Sequence, residues 1–89
     1  MYPPTYKQIS EKLMQVVMQI ISREQFQDWA DIYILNDDSF EVIDHICWNY
    51  LVHASVMCET DYVGNYIYTI LDIKDLIKEY DYAFYSNHF

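Results

Sequence analysis

The sequence predicts an all-α domain, a compact bundle of about four helices, and three observations support this prediction. Apolar residues recur at the i, i+3, i+4, i+7 spacing of a helix in four segments. Residue pairs that typically cap helix N-termini precede those segments. The chain has one Gly and two Pro among 89 residues, which fits helices joined by short connections. We expect a single domain, residues 1–89, because 53% apolar content is enough for one core at this length.

The first helix is expected from about residue 6 to residue 21. Thr5 and Gln8 match a capping box, and Pro3 and Pro4 cannot lie inside the helix. The expected apolar stripe consists of Tyr6, Ile9, Leu13, Val16, Val17 and Ile20.

The second helix is expected over residues 23–34, opened by a Ser22–Gln25 capping box. Its acidic residues Glu24, Asp28 and Asp31 recur at i, i+4, i+7 and therefore share one face without an intervening cation. Two interpretations are equally consistent with this pattern. The face is either an ordinary solvated surface or a surface kept acidic for a partner.

The third helix is expected over residues 40–58, which contain neither Gly nor Pro and are apolar around most of the helix. Such a helix packs against several neighbours, so we expect it to be central. The preceding turn contains Asp37 and Asp38, and either Asp38 with Glu41 or Ser39 is expected to cap the helix. In that helix Glu41, Asp44, His45 and Trp48 would share an arc of about 100°. Trp48 is then either an aromatic anchor ringed by acids or part of the core.

A loop with its turn at Gly64–Asn65 leads to the fourth helix, expected over residues 70–80 after a capping pair, Thr69 and Asp72. The remaining residues, 81–89, form an aromatic C-terminal tail that we expect to pack along the bundle or to contact a partner.

The distribution of charge indicates what the chain binds. Fourteen acidic and five basic residues give a net charge of -9, and residues 24–73 contain ten carboxylates and no Lys or Arg. Such a block repels nucleic acid and anionic membranes, and it attracts a basic protein at long range. Direct binding to nucleic acid or to anionic membranes is therefore not expected.

Catalysis, metal binding and cofactor binding are not expected. His45, Cys47, His53 and Cys58 would scatter around one helix instead of converging on a metal ion. The two cysteines would be ~16 Å apart along that helix and cannot form a disulfide with each other. Two unpaired thiols, no secretory signal at the N-terminus and no membrane-length apolar run together favour the cytoplasm.

Ten tyrosines accompany the acids, and tyrosine is enriched at protein interfaces because it combines a large apolar face with a hydroxyl group. The sequence also resembles small acidic bacterial toxin-immunity proteins over about residues 20–80. The resemblance rests on residues 21–24, Trp29–Ala30, Asp37–Asp38, Asp44, Trp48, Leu51, residues 66–69 and Asp72–Ile73. It implies an inhibitor that binds a basic toxin domain, such as a nuclease. The partner-binding residues would be Glu24, Asp28, Asp31, Asp37, Asp38, Glu41, Asp44, Trp48, Tyr66 and Tyr68.

Two other functions remain open. A DNA mimic that inhibits a defence enzyme would share the acid content but would space its carboxylates over an elongated surface. A homo-oligomerising helical module would instead use Trp48 and the aromatic tail as a homodimer interface.

Overall fold

The computed structural model describes residues 2–39, 41 and 44–88 and confirms the all-α bundle. Its helices, in the described part of the chain, are α1 (Tyr6–Val17), α2 (Arg23–Ile34), α3 (His45–Met57) and α4 (Ile70–His88). A single 3₁₀ turn, Asp37–Ser39, follows α2. The bundle measures 37 × 28 × 21 Å.

The predicted capping boxes fix the starts of three helices. In each box, the side-chain oxygen of the N-cap residue accepts a hydrogen bond from the backbone N–H of the residue three positions later. The side chain of that later residue in turn accepts a hydrogen bond from the backbone N–H of the N-cap residue. The pairs are Thr5 with Gln8, Ser22 with Gln25, and Thr69 with Asp72. These starts were predictable because each depends on four consecutive residues only.

Helix α1 ends at Val17, earlier than predicted, because the chain leaves the helix through a Schellman motif. The N–H of Ile20 donates to the carbonyl of Gln15 at 2.9 Å, and the N–H of Gln19 donates to that of Val16 at 3.1 Å. Gln19 has φ 60°, in the left-handed region that favours glycine. The sequence lacks the usual glycine signal at this position.

Helix α3 begins at His45 instead of Phe40, and Asp44 is its N-cap. The Asp44 carboxylate accepts the N–H groups of Ile46 at 3.0 Å and Cys47 at 3.1 Å. The expected cap at Asp38 with Glu41, or at Ser39, is therefore wrong.

The shorter α3 also removes Glu41 and Asp44 from the helical arc that they were expected to share with Trp48. Glu41 has no helical structure, and Phe40, Val42 and Ile43, which were expected to open the helix, lie outside the described residues.

The predicted tail is instead a continuation of α4, which runs to His88. Two aromatic stacks explain why the helix continues. The ring of Tyr80 stacks on that of Tyr50 at 4.6 Å between centroids, and the ring of Phe84 stacks on that of Tyr6 at 4.2 Å. The apolar side of α4 thus extends past residue 80. This segment packs along the bundle, which is one of the two alternatives expected from the sequence.

Helix α3 is central, as predicted, because it packs against α1, α2 and α4. The core contains residues from all four helices, and the aromatic rings of Phe26 and Tyr50 are its largest fully buried groups. Among the described helices, none combines the length and the apolar character that crossing a bilayer requires.

Candidate protein-binding surface

The outward side of α2 carries three of the predicted acidic site residues on one face. Glu24 and Asp28 are exposed, and Asp31 is half-buried. Leu35 continues this face at i+11 and is 75% exposed. None of the three carboxylates forms an ion pair with another described residue. We call Glu24, Asp28, Asp31 and Leu35 the acidic face; it is ~16 Å long at about 1.5 Å per residue.

Three further predicted acids follow the C-terminal end of α2. Asp37 and Asp38 lie in the 3₁₀ turn, Glu41 follows it, and all three side chains are exposed. Negative charge therefore continues along the chain beyond Leu35.

The N-terminal end of the acidic face meets Tyr66, which is 42 residues away from Glu24 in sequence. The Tyr66 hydroxyl donates to the Glu24 carboxylate and lies 3.1 Å from both of its oxygens. This hydrogen bond is the main cause that raises the pKa of Tyr66 above its ordinary value of 10.0. The ring remains 48% exposed, so it offers an aromatic surface beside the carboxylate.

Arg23 holds Tyr66 in this position from below. Its guanidinium carbon lies 4.1 Å from the centroid of the Tyr66 ring, and its Nη1 donates to the backbone carbonyl of Tyr68. Arg23 is only 7% exposed, and it is the buried charged residue of the described chain. One side chain thus fixes both predicted loop tyrosines against α2.

The loop before Tyr66 is itself well ordered by hydrogen bonds. The Asp61 carboxylate accepts the N–H groups of Val63 and Asn65, each at 2.9 Å, and Gly64 takes the positive φ of 92° that the turn needs. A β-bridge between Thr60 and Tyr66 closes the loop. Tyr66 is consequently presented by a rigid support, which lowers the entropic cost of using it in binding.

The other predicted aromatic residues lie elsewhere. Tyr68 is half-buried against the core and contributes its carbonyl to Arg23, so its ring is not beside Glu24 as an exposed anchor. Trp48 is half-buried, packs against the core and lines a groove between α1, α3 and α4. Asp44 lines the same groove and uses its carboxylate to cap α3. The structure therefore brings together Glu24, Asp28, Asp31 and Tyr66, and it places Asp44 and Trp48 in another region.

The sequence patterns do not single out Arg23 or the apolar residues next to Tyr66. A signal for Arg23 exists, because a cation in the first turn of a helix opposes the helix dipole and therefore needs another stabilising contact. Ile20 is 62% exposed and lines, with Tyr66, a hollow of about 420 Å³; Ile67, beside Tyr66 in the chain, is 56% exposed. These positions depend on the Schellman turn and on the loop, which hydrophobic periodicity does not describe.

The two cysteines are free and buried. Burial raises the pKa of Cys47 to about 12, assisted by the neighbouring Asp44 carboxylate, and that of Cys58 to about 11. Both are therefore protonated and weakly nucleophilic at neutral pH. The described residues contain no group of three or more His, Cys, Asp or Glu side chains placed to hold a metal ion.

No family model and no solved structure matches the chain. The chain is similar to Uncharacterized protein YxzC of Bacillus subtilis (strain 168), with 33% identity over 69 residues. The matched region is 78% of this chain and 56% of that protein, so the chain spans about half the length of the curated relative it matches.

Proposed function

We propose that this chain is a non-catalytic cytoplasmic binding protein of the immunity type, which neutralises a basic bacterial toxin domain. The docking surface is the acidic face of α2 together with Tyr66. The observation that carries the proposal is the junction of Glu24 with Tyr66, since it joins a row of carboxylates that form no ion pair with a described residue to an exposed aromatic ring on a rigid support.

Binding proceeds in two physical steps. The net charge of -9 and the acidic face attract and orient a cationic partner at long range, which raises the association rate. Tyr66 and the exposed Leu35, at opposite ends of the face, then bury apolar surface against the partner, which slows dissociation.

The shape of the protein favours this surface over a DNA-like one. A DNA mimic needs carboxylates spread at regular intervals over an elongated body, whereas this bundle measures 37 × 28 × 21 Å and interrupts its acids with exposed Ile32 and Leu35. A homodimer through the same face would place acids against acids and is disfavoured for that reason. A homodimer through Trp48 and the C-terminal part of α4 does not involve this face and stays an alternative.

The experiment is calorimetry with the purified product of the adjacent gene at low and high salt. Tight binding that weakens steeply with salt, and is weakened by Tyr66→Ala, supports the proposal. Affinity indifferent to salt, or no binding, contradicts it. The same calorimetric titration with a purified DNA-binding enzyme, in place of the product of the adjacent gene, tests the DNA-mimic alternative.

A further inference from the structure

A hollow of about 420 Å³ adjoins the N-terminal end of the acidic face. Most of the residues that line it are apolar, and they come from the end of α1, the turn before α2, the loop and the start of α4: Val16, Ile20, Ile21, Tyr66 and Ile70. Ile20 is 62% exposed and Tyr66 is 48% exposed, so part of this apolar lining contacts water in the free protein. Exposed apolar surface beside polar residues is typical of sites that contact another protein.

The hollow exists before a partner binds, because hydrogen bonds and stacking hold its walls. Ile20 lies in the Schellman turn, where its N–H donates to the carbonyl of Gln15 at 2.9 Å. Tyr66 lies in the loop that the bridge to Thr60 closes, and the guanidinium carbon of Arg23 is 4.1 Å from its ring centroid. A side chain that enters the hollow does not have to order these walls, which lowers the entropic cost of binding.

The charges around the hollow favour an apolar group inside it and a cation at its rim. Arg23 lines the hollow, is 7% exposed and forms no ion pair with a described residue, so it repels a cation that would enter. Glu24 does not line the hollow, but its carboxylate lies 3.1 Å from the Tyr66 hydroxyl and is therefore at the rim. Asp28 adds negative charge one turn further along α2, and both carboxylates attract a cation.

We propose that the hollow receives an apolar side chain of the basic partner, and that this side chain stands beside a Lys or Arg that pairs with Glu24. The inference rests on the proposed function and specifies what the partner presents, namely an apolar residue and a cation next to each other on its surface. Charge complementarity identifies this occupant. A carboxylate that paired with Arg23 instead would have to approach Glu24 and a chain with a net charge of -9, both of which repel it.

The test is an NMR titration of the full chain with three tripeptides whose termini are acetylated and amidated. Acetyl-Arg-Leu-Arg-amide has the proposed chemistry, acetyl-Arg-Ala-Arg-amide lacks the large apolar side chain, and acetyl-Glu-Leu-Glu-amide reverses the charge. We expect saturable shifts of the amide signals of Ile20 and Tyr66 with the first peptide, about tenfold weaker binding of the second, and no saturable binding of the third. Equal affinities for the first two peptides, or no saturable shift with the first at millimolar concentration, would overturn the proposal. Binding of the third peptide as tight as that of the first would show that Arg23 receives an anion, and would overturn it as well.

A pair of variants locates the contact in the hollow. Ile20→Ala truncates a wall of the hollow, whereas Leu71→Ala removes a side chain of the same size that is 66% exposed and does not line it. We expect the first variant to weaken binding of acetyl-Arg-Leu-Arg-amide about fivefold and the second to leave it unchanged. Equal weakening by both variants would contradict the assignment to the hollow. The three wild-type titrations decide the question even if a variant folds poorly.

Calorimetry with the product of the adjacent gene separates this inference from the proposed function. If that product binds while acetyl-Arg-Leu-Arg-amide does not, the proposed function stands and the inference about the hollow fails. If the peptide binds at the hollow while the product does not, the hollow is a site for basic, apolar segments and the proposed immunity function fails. If neither binds, both fail.

Discussion

Two tyrosines in this protein have opposite surroundings. Tyr66 lies at the surface, stacked on Arg23 and hydrogen-bonded to Glu24. Tyr50 is fully buried, stacked on Tyr80, with its hydroxyl 3.0 Å from that of Ser10. The same side chain thus belongs to the exposed surface in one region and to the core in the other.

The comparison shows that the neighbours, and not the residue type, determine what a tyrosine does here. The surface ring keeps an exposed face because a buried cation and a rigid loop support it from one side. The ring of Tyr50 is fully buried among neighbouring helices and has no contact with solvent. The two should therefore differ strongly in what their removal costs.

The largest effect is expected from truncation of the core ring. Tyr50→Ala should lower the free energy of unfolding by about 4 kcal/mol, because it removes a fully buried aromatic side chain and leaves a cavity. Tyr66→Ala should cost only a small fraction of this. Urea unfolding followed by circular dichroism measures both, and equal losses for the two variants would contradict the comparison.

High pH should act through the buried groups. Burial raises the pKa of Tyr50 from 10.0 to about 12, so its stabilising contribution is complete below pH 10 and is lost as the pH rises toward 12. The loss is about 3 kcal/mol, at about 1.4 kcal/mol per pKa unit. Cys47 and Cys58, whose pKa values are also raised, lose their contributions in the same direction from pH 9.0 upward.

Urea unfolding between pH 8 and pH 11.5 measures this dependence. Tyr50→Phe, which cannot ionise, should reduce the slope of the curve above pH 10 and leave the part that is due to Cys47 and Cys58. A free energy of unfolding that stays constant across this interval would show that these groups are not buried as described.

The junction of Glu24 with Tyr66 should depend on both the charge and the planar shape of the Arg23 side chain. Arg23→Met should cost about 2 kcal/mol, because the half-buried Tyr68 loses the charged hydrogen-bond donor to its backbone carbonyl. It should also release the loop, so that the amide of Asn65 exchanges with solvent faster. Arg23→Lys retains the charge but not the planar group that stacks on Tyr66, so it should restore part of the stability only. Full rescue by Lys would show that charge alone matters.

A smaller effect, of opposite sign, is expected at the end of α1. Gln19→Gly should stabilise the protein by about 1 kcal/mol, because glycine takes the φ of 60° at no steric cost. Met18→Gly is the matched control: its φ is -83°, so glycine there should destabilise. Thermal unfolding of the two variants distinguishes them, and a loss of stability in Gln19→Gly would contradict the Schellman assignment.

The parts of the fold that were predictable from sequence depend on neighbouring residues. The Ser22–Gln25 pair fixes the start of α2 by itself, and the predicted range of that helix, 23–34, agrees with the structure. The start of α3 was not predictable in the same way, because Asp38, Ser39 and Asp44 are all good caps and the choice depends on packing. The continuation of α4 depends on stacks with Tyr6 and Tyr50, which are distant in sequence.

The candidate surface likewise contains a part that local sequence predicts and a part that depends on distant residues. The acidic face of α2 follows from helical spacing, so Glu24, Asp28 and Asp31 could be grouped in advance. The junction with Tyr66 spans 42 residues and depends on a buried Arg23, and helical periodicity contains no information about such a contact.

The most direct test of the acidic face as the proposed docking surface is the rate of association with the proposed toxin domain at low salt, measured by stopped flow. The triple variant Glu24→Gln, Asp28→Asn, Asp31→Asn is compared with Glu59→Gln, Asp75→Asn, Glu79→Gln, which removes the same charge from exposed acids elsewhere. We expect the first to associate about tenfold more slowly than wild type and the second to change the rate far less. Equal slowing by the two variants would show that net charge alone steers the partner and would contradict a docking surface on α2.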